Sequence, residues 1–305
     1  MTARPEDPAL TLTLDAAIVA VTGSRPKILT VRDNKVGMPA LPAGPLGPED
    51  ATLELALRRW IHDQAGIAVG YAEQLYTFGD LGRGPAAVRD TRALSVAYLA
   101  LVREEQPAAD AAWIDWYDLL PWEDHREGPP LALEDGVRPA LAEWAGDDEQ
   151  RRNRVTAAFG GEGRWDGIRV LDRYELLYEA GLVAETGPAE EFTSASATGR
   201  AMAFDHRRIV ATALGRLRGK LTYRPVVFEL LADTFTLLML QHTVEALGGV
   251  RLHKQNFRRL VERTHLVEGT GERTPSPAGR PAELFRFRSE VLLERPRPGL
   301  GVPYR

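Results

Sequence analysis

The chain has 305 residues, enough for two domains of ordinary size, and its hydrophobic fraction (44%), charged fraction (27%) and net charge of −5 are those of a globular protein. It contains no cysteine, which excludes disulfides and cysteine-ligated zinc. No apolar run approaches the ~20 residues of a membrane span, and the N-terminus lacks the apolar core of a signal peptide, so we expect a cytoplasmic protein.

Two strands and a helix are predicted in the first 65 residues. Residues 12–21 and 26–33 are rich in β-branched and aliphatic side chains, and Gly-Ser-Arg-Pro between them predicts a turn. Prolines and glycines make residues 37–48 irregular. A helix is then predicted from about Glu49 to Ala65, and its buried apolar stripe includes Trp60.

Residues 41–67, LPAGPLGPEDATLELALRRWIHDQAGI, resemble a Nudix box, in which a loop and a helix hold divalent metal through an Arg-Glu-x-x-Glu-Glu core. Anchored on Gly66, the core here reads Arg-Trp-Ile-His-Asp-Gln over residues 59–64. Trp60 and Gln64 stand where the first and last glutamates belong, and only Asp63 keeps a carboxylate that magnesium could use. We therefore expect a scaffold kept for binding, with hydrolysis lost and no metal cofactor; magnesium would be needed only for residual hydrolase activity.

Further resemblance lies in the two segments that follow. Residues 73–102 predict a strand, a Gly/Pro-rich loop and a long strand, and 111–122 are rich in aromatic residues. The stretch 74–80 (QLYTFGD), Arg83 and the stretch 95–98 (SVAY) resemble the NrtR family of Nudix-related transcriptional regulators. The resemblance resumes at 203–206 (AFDH) and at 216–223 (RLRGKLTY), and it covers roughly residues 8–125 and 201–290.

This resemblance implies an α+β fold with two parts. Residues 8–146 would form an N-terminal Nudix-like α/β/α sandwich with a mixed sheet, which binds the effector. Residues 201–305 would form a C-terminal winged helix-turn-helix that binds double-stranded operator DNA as a homodimer. The family's effector is ADP-ribose or a related nucleotide, or in some members a sugar, and the eroded Nudix box leaves both classes open here.

Residues 147–200 are an insertion relative to that pattern. Residues 147–167 are polar and glycine-rich, which predicts a linker. Residues 170–183 predict a short helix with Tyr174 and Leu177 on one face, together with Leu171 and Tyr178. Gly181 is expected to end it in the left-handed conformation. A packing or dimerisation helix is the favoured interpretation, and a second ligand-binding element stays open.

The C-terminal part predicts a winged helix from its residues alone. Thr236 can cap a helix running to about Leu247, and a second helix follows from about His253 to Thr264. Two strands around an arginine-bearing loop then predict a wing. Residues 206–305 hold 18 basic and 9 acidic residues, net +9, against −14 for residues 1–205, so an anionic partner is expected, nucleic acid first. A solvated basic surface is the alternative that charge leaves open.

Candidate DNA contacts follow from side-chain chemistry. On the second helix the base-reading candidates are Gln255, Asn256 and Arg258, because amides read adenine and arginine reads guanine. The phosphate candidates are Lys254, Arg259 and, on the wing, Arg280. Arg216, Arg218 and Lys220 precede the domain; contact with the DNA backbone and a charged helix surface are equally open for them.

Candidate effector contacts lie in the Nudix-like part. Arg32 ends a strand at the expected cleft and can pair with an anion. Phe78 can stack on a base or a sugar, although a core position is the commoner one for such an aromatic. Asp80 lies on a loop, where binding residues concentrate. The remaining candidates are Arg83 on the same loop and the surviving motif residues Arg59, which we interpret as structural, and Asp63. The histidines at 62, 125 and 206 have no spacing typical of a metal site.

Three functions compete. The first is a ligand-responsive transcriptional regulator, expected to be a repressor. The second is a divergent Nudix hydrolase of ADP-ribose or a nucleoside diphosphate derivative, which would use carboxylates outside the motif: Glu49, Asp50, Glu54 and Asp63. The third is an adaptor whose basic part meets an acidic protein. Turnover with magnesium or manganese identifies the second, and a steep salt dependence with sequence-specific DNA excludes the third.

Overall fold

The computed structural model describes residues 9–33, 36–80, 91–108, 110–161, 165–186, 198–274, 281–294 and 298–301. Its N-terminal part is built on a seven-stranded mixed sheet. The strands are β1 (Ala9–Thr22), β2 (Arg25–Arg32), β3 (Pro39–Ala40), β4 (Ala43–Pro45), β5 (Tyr71–Phe78), β6 (Thr91–Leu101) and β7 (Ala111–Asp115). The two predicted N-terminal strands are confirmed as β1 and β2.

The strand order is β3-β2-β1-β6-β5, with β4 pairing to β1 and β7 to β2. Among the strands named here from the described residues, only β1 and β6 pair in parallel, in a register that pairs Leu14 with Val96 and Ala17 with Leu99. The central strand β1 is buried on both sides, since every residue from Leu14 to Ala20 is buried. Strands covered on both faces have near-continuous apolar sequences, which explains the composition of this segment.

Helix α1 (Leu53–Ala65) is followed in the described part of the chain by eight more α-helices and two more strands, besides short 3-10 helices at Pro121–Glu123, Ala184–Thr186 and Val226–Leu230 and a π-helical turn at Ala132–Val137. The helices are α2 (Trp116–Leu119), α3 (Arg138–Ala145), α4 (Glu149–Phe159), α5 (Val170–Glu179), α6 (His206–Tyr223), α7 (Leu237–Gly248), α8 (Lys254–Thr264) and α9 (Val291–Glu294), and the strands are β8 (Val267–Arg273) and β9 (Glu283–Phe287). Among the described residues, no helix is long and apolar enough to cross a membrane.

Helix α1 covers one face of the sheet. It begins at Leu53, four residues later than predicted, because the Thr52 hydroxyl accepts a 3.1 Å hydrogen bond from the Leu55 N–H and caps the helix there. Gly66 ends it in the left-handed conformation (φ 68°). Its buried face, which includes Leu57 and Ile61, packs on Leu14, Val96 and other residues of that face of the sheet.

The other face of the sheet shares a single hydrophobic core with the C-terminal part. This core runs from Ala17 and Leu99 in the sheet through Leu214 in α6 to Val244 in α7 and Phe257 in α8. The expected α+β architecture, a mixed sheet between helical layers followed by a winged helix, is confirmed. In the described residues the apolar packing is continuous between the two parts. A shift in one part therefore displaces packed side chains in the other.

In the insertion, the first half differs from its prediction as a linker. Residues 149–159 form α4 and are not a linker, because Asp148 caps this polar helix through bonds from the Gln150 and Arg151 N–H groups (2.9 and 3.1 Å) and Phe159 anchors it in the core. Helix α5 is confirmed. Gly181 follows it at φ 71°, and the Leu182 N–H donates to the Leu177 carbonyl at 2.9 Å. Tyr178, predicted on the packed face, is 47% exposed.

The C-terminal part is a winged helix as predicted. The Thr236 hydroxyl caps α7 by accepting from the Met239 N–H at 3.2 Å, and Gly249 ends it at φ 68°. Helix α8 then packs on it through Phe257 and Val261, while Leu260 is partly buried. Strands β8 and β9 form the antiparallel wing.

Candidate DNA-binding surface and effector domain

Helix α8 turns its basic side away from the core. Phe257 and Val261 fix its buried face, so a rotation of 100° per residue puts Gln255 and Arg259 directly opposite, toward solvent. Lys254 lies on one flank. None of the arginines and lysines of α8 forms an ion pair with a carboxylate in the described part of the chain, so their charge is free to meet an anion.

The predicted contacts on α8 are therefore divided between two sides. Gln255 and Arg259 occupy the outermost surface, and Arg258 is exposed on the same flank as Lys254. Asn256 is exposed on the opposite flank, where it faces a groove that it lines together with Arg259. The sequence alone did not distinguish the two flanks of α8, because it does not show which residues pack beside each flank.

The wing is reinforced by a third strand-like segment. Phe235 and Phe285 exchange backbone hydrogen bonds of 2.9 and 2.8 Å, which ties the start of the winged helix to β9. Phe228 stacks on Phe287 at 4.4 Å between ring centroids. Arg273 is exposed at the end of β8. Arg280, the predicted wing contact, lies outside the described residues.

Arg218 is not a DNA contact, and this corrects our prediction. Its side chain is 0% exposed, at the centre of a buried ionic cluster with Glu123 and Arg173, both also 0% exposed. Arg173 donates to the two oxygens of Glu123 at 2.6 and 2.9 Å, and Arg218 donates to Oε2 at 2.5 Å. Two guanidinium groups around one carboxylate compensate the desolvation that burial imposes on each charge.

The same cluster joins four parts of the chain. The Arg218 Nε donates to the Leu247 carbonyl (3.0 Å) in the last turn of α7, and its Nη1 donates to the Gly167 carbonyl (2.9 Å) in the insertion. The Tyr117 hydroxyl donates to the Ala246 carbonyl (2.6 Å), and burial raises the pKa of Tyr117 to about 12. The end of the sheet domain, the insertion, α6 and the winged helix therefore meet at one buried site.

Lys220 is also occupied. Its ammonium group donates to the Tyr71 hydroxyl at 2.9 Å and forms an ion pair with Glu73, so it links α6 to β5. Burial lowers the pKa of Lys220, but its bonds to Glu73 and Tyr71 outweigh this and leave it raised. Lys220 and Arg218 therefore hold α6 in place, and the alternative of a charged helix surface does not describe either residue.

The N-terminal end of α6 is attached to the start of the Nudix-like loop. The Leu41 N–H donates to the His206 Nδ1 at 2.9 Å, and the His206 Nε2 lies 3.4 Å from Asp15 Oδ1. The Ala203 N–H donates to the Pro39 carbonyl at 2.8 Å. A shift of this loop would therefore move the beginning of α6. Sequence reasoning missed His206 because its partners are distant in the chain.

The motif positions of the Nudix box are engaged by the backbone of β4. The Gln64 amide bonds both backbone groups of Ala43 (3.0 and 2.7 Å), and the Trp60 Nε1 donates to the Pro45 carbonyl at 2.9 Å. Trp60 packs on Gly44 and stays partly exposed, so the prediction that it faces the core is only half right. Both side chains fasten the helix to the loop.

The carboxylates near the motif are mostly paired with arginine. Arg59 forms a two-point ion pair with Asp50 (3.1 and 2.7 Å), in line with its predicted structural role, and this bond lowers the pKa of Asp50. Asp63 is half exposed and lies 4.0 Å from Arg59. Glu54 bonds Arg58. Within the described ranges, no group of three or more histidines and carboxylates is arranged to hold a metal.

The remaining effector candidates do not converge. Phe78 is 2% exposed and belongs to the core on the α6 face, where Arg208 stacks over its ring at 5.4 Å, so stacking on a ligand is wrong for this residue. Asp80 forms an ion pair with Arg208. Arg32 is exposed at the end of β2, about 14 Å from β5 by three strand spacings. Arg83 lies outside the described residues.

Comparison with known proteins identifies the C-terminal part. The family model of the NrtR DNA-binding winged helix domain matches residues 227–287. A curated relative, the ADPR responsive transcriptional repressor NtrR of Acinetobacter baylyi, is 36% identical over 86 residues, which are 28% of this chain and 34% of the relative. The match thus spans about a third of that protein's length. The resemblance predicted from the sequence is confirmed.

Solved structures extend the likeness of fold to the whole chain. Shewanella oneidensis NrtR in complex with a 27mer DNA superposes with a TM-score of 0.58 at 22% identity, covering 92% of this chain and 94% of that one. A MutT/nudix family protein from Enterococcus faecalis gives 0.56 at 17% identity, covering 94% and 90%. The joined Nudix-like and winged-helix architecture is therefore shared with these proteins.

Proposed function

We propose that this chain, an NrtR-type winged helix joined to a Nudix-like domain, is a ligand-responsive transcriptional repressor that acts in the cytoplasm as a homodimer on operator DNA. The proposal rests on the basic side chains of α8. Its arginines and lysine have no carboxylate partner in the described part of the chain, and they lie on the solvent side of a winged helix. Such a helix is suited to the major groove, where phosphates position it and base edges specify the sequence.

The effector would act through α6. This helix is fixed to the Nudix-like loop by His206 and to α7 by Arg218, so a ligand that moves the loop would move the DNA-binding motif. For a switch, the effector must bind one arrangement of the dimer more tightly than the other. An ADP-ribose-like nucleotide is the first candidate, because the curated relative is named for its response to ADPR. A sugar is the second.

The proposed regulator does not hydrolyse its effector and needs no metal cofactor. Trp60 and Gln64 occupy two glutamate positions of the motif and bond the β4 backbone, and Arg59 holds Asp50. Magnesium requires several oxygen ligands in a nearly octahedral arrangement, which these side chains do not offer. Release of AMP or phosphate from ADP-ribose with saturating magnesium or manganese would contradict this part of the proposal and favour a divergent hydrolase.

The deciding experiment is fluorescence anisotropy with labelled DNA from upstream of the chain's own gene, compared with random duplex across a salt series. A site-specific signal, with log Kobs falling steeply against log salt, is expected. The variant Arg258→Ala removes one exposed cation of α8. It should weaken DNA binding and leave the chain folded. Equal affinity for both duplexes, in wild type and variant alike, would contradict the proposal. Candidate effectors are then screened for release of DNA.

A further inference from the structure

A groove runs between α8 and the neighbouring pair His125 and Trp165. Its volume is about 750 Å³, within the range of about 300–1,000 Å³ typical of small-molecule sites. Val250, Leu252 and Leu260 contribute apolar surface to its walls. Two of its lining residues, Asn256 and Arg259, are also candidate DNA contacts, but its apolar walls have no part in the function proposed above.

Among the described residues, the charged side chains that line the groove are arginines. Arg251, Arg259 and Arg263 line it together with His125 and His253, and no carboxylate of the described part of the chain does. Arg251 forms ion pairs with Glu127 at 2.5 Å and with Glu245 at 3.4 Å, so its charge is compensated. Arg259 and Arg263 have no acidic ion-pair partner among the residues that the structure describes. They stand one helical turn apart, so their guanidinium groups can reach one anionic group together.

The opposite wall is aromatic. The His125 ring lies 4.0 Å from the Trp165 ring, and Arg173 stacks over the same indole at 3.9 Å, so the wall is fixed by the buried ionic cluster. An aromatic wall held in this way offers a flat surface against which an apolar ring can pack.

We propose that this groove is a binding site for a small amphipathic organic anion, an aryl phosphate or aryl carboxylate, whose acidic group is held by Arg259 and Arg263 and whose ring lies on the apolar wall. DNA phosphate is the other anion that α8 can meet, but the apolar wall favours an aromatic body over a hydrated sugar-phosphate chain. A bound anion would keep Arg259 from contacting DNA and would lower DNA affinity. Only this consequence rests on the proposed function; the anion site itself does not.

The test measures binding of 1-naphthyl phosphate to the full chain without DNA, by saturation-transfer NMR and titration calorimetry, with uncharged 1-naphthol as the matched ligand. Binding of the phosphate and not of the naphthol is expected. Arg263→Gln should weaken it about tenfold or more, because a charge-assisted bond is lost. Arg258→Gln removes the same charge from the other flank of α8 and should leave the anion's Kd unchanged while lowering DNA affinity.

The outcomes separate this inference from the proposed function. If the wild type binds the anion and Arg263→Gln does not, the proposed site is supported, even when the chain shows no preference for any DNA. Equal loss in Arg263→Gln and Arg258→Gln, or naphthol binding as tight as the phosphate, would overturn it. In a third outcome, the wild type does not bind the anion and a folded Arg263→Gln variant loses DNA affinity. This result would identify the groove as a site for DNA phosphate and would also overturn the inference.

Discussion

The Nε of Arg218, in the second half of α6, donates a 3.0 Å hydrogen bond to the carbonyl oxygen of Leu247, in the last turn of α7. Carbonyls of a final helical turn have no partner within the helix, so Arg218 caps α7 from another element. The same guanidinium holds the carboxylate of Glu123. The orientation of the DNA-binding motif therefore depends on a charge buried between it and the sheet domain.

Glu123→Gln is expected to destabilise the fold strongly. The substitution keeps the shape but leaves Arg173 and Arg218 buried around a neutral amide, and breaking a buried ion pair costs about 3–5 kcal/mol. Urea unfolding followed by circular dichroism measures the difference. Glu179→Gln is the matched control, because its pair with Arg154 is half exposed, and exposed pairs contribute less than about 1 kcal/mol. Similar losses in both variants would contradict a special role for the cluster.

The cluster should also set the acid limit of stability. Burial raises the pKa of Glu123, but the charges and hydrogen bonds of Arg173 and Arg218 outweigh it and hold this pKa below its ordinary value of 4.5. A carboxyl with a lowered folded-state pKa stabilises the fold fully above the unfolded-state value and loses that contribution as pH falls through the folded-state value.

Unfolding free energies measured from about pH 6 down to about pH 3 test this linkage. The wild type should lose its advantage over Glu123→Gln as pH falls below 4.5, so the two curves should converge there. Other carboxylates titrate in both proteins, and the difference between the curves removes their effect. A constant difference at every pH would show that Glu123 has the same pKa in the folded and the unfolded chain, and a difference that grows as pH falls would show that its folded-state pKa is raised.

The winged helix was predictable because its signals are local. Thr236 and Gly249 are the residues that begin and end α7, and the apolar spacing of Phe257 and Val261 defines the buried face of α8. Gly181 likewise marked the end of α5. Each of these signals acts within a few residues, so the order of elements follows from the sequence without knowledge of distant contacts.

Long-range pairing was not predictable in the same way. Arg218 stands between Leu214 and Leu221 on the apolar stripe of α6, which indicates an inward direction, but its partner Glu123 is 95 residues away. Helix α4 lacks an apolar period and is held by its cap and by Phe159 at its end. For Phe78 both a ligand contact and a core position stayed open, because a buried aromatic and a stacking aromatic have the same sequence pattern.

His206→Leu is expected to weaken the response to effector more than DNA binding itself. It leaves the buried Leu41 N–H without its acceptor, which costs about 1–3 kcal/mol, and it removes the side-chain bond between α6 and the loop, while the backbone bond from Ala203 to Pro39 remains. The measurement is DNA anisotropy with and without saturating effector. His62→Leu, on the exposed side of α1, is the control. Full effector response in His206→Leu would show that the coupling takes another route.

Gly44→Ala should destabilise the Nudix-like domain by about 1–3 kcal/mol, because overpacking forces side chains out of place. An added Cβ would lie 2.0 Å from the Cε2 of Trp60, so the indole must move and lose its bond to Pro45. Thermal unfolding measures the loss. Gly70→Ala, with no atom within 4 Å of its added Cβ, is the matched control. An unchanged melting temperature for Gly44→Ala would contradict the packing described here.

Gln255 and Lys254 are neighbours on α8 with different expected roles. Gln255 lies on the outermost surface, so Gln255→Ala should cost about 1–3 kcal/mol on the preferred site and little on random duplex, with the salt dependence unchanged. Lys254→Ala removes a charge from the flank, so it should weaken both duplexes alike and reduce the slope of log Kobs against log salt by about one. Anisotropy on both duplexes at several salt concentrations separates the two effects. If Gln255→Ala weakens specific and random binding equally, then α8 meets DNA through its phosphates alone and the bases are read by another part of the chain.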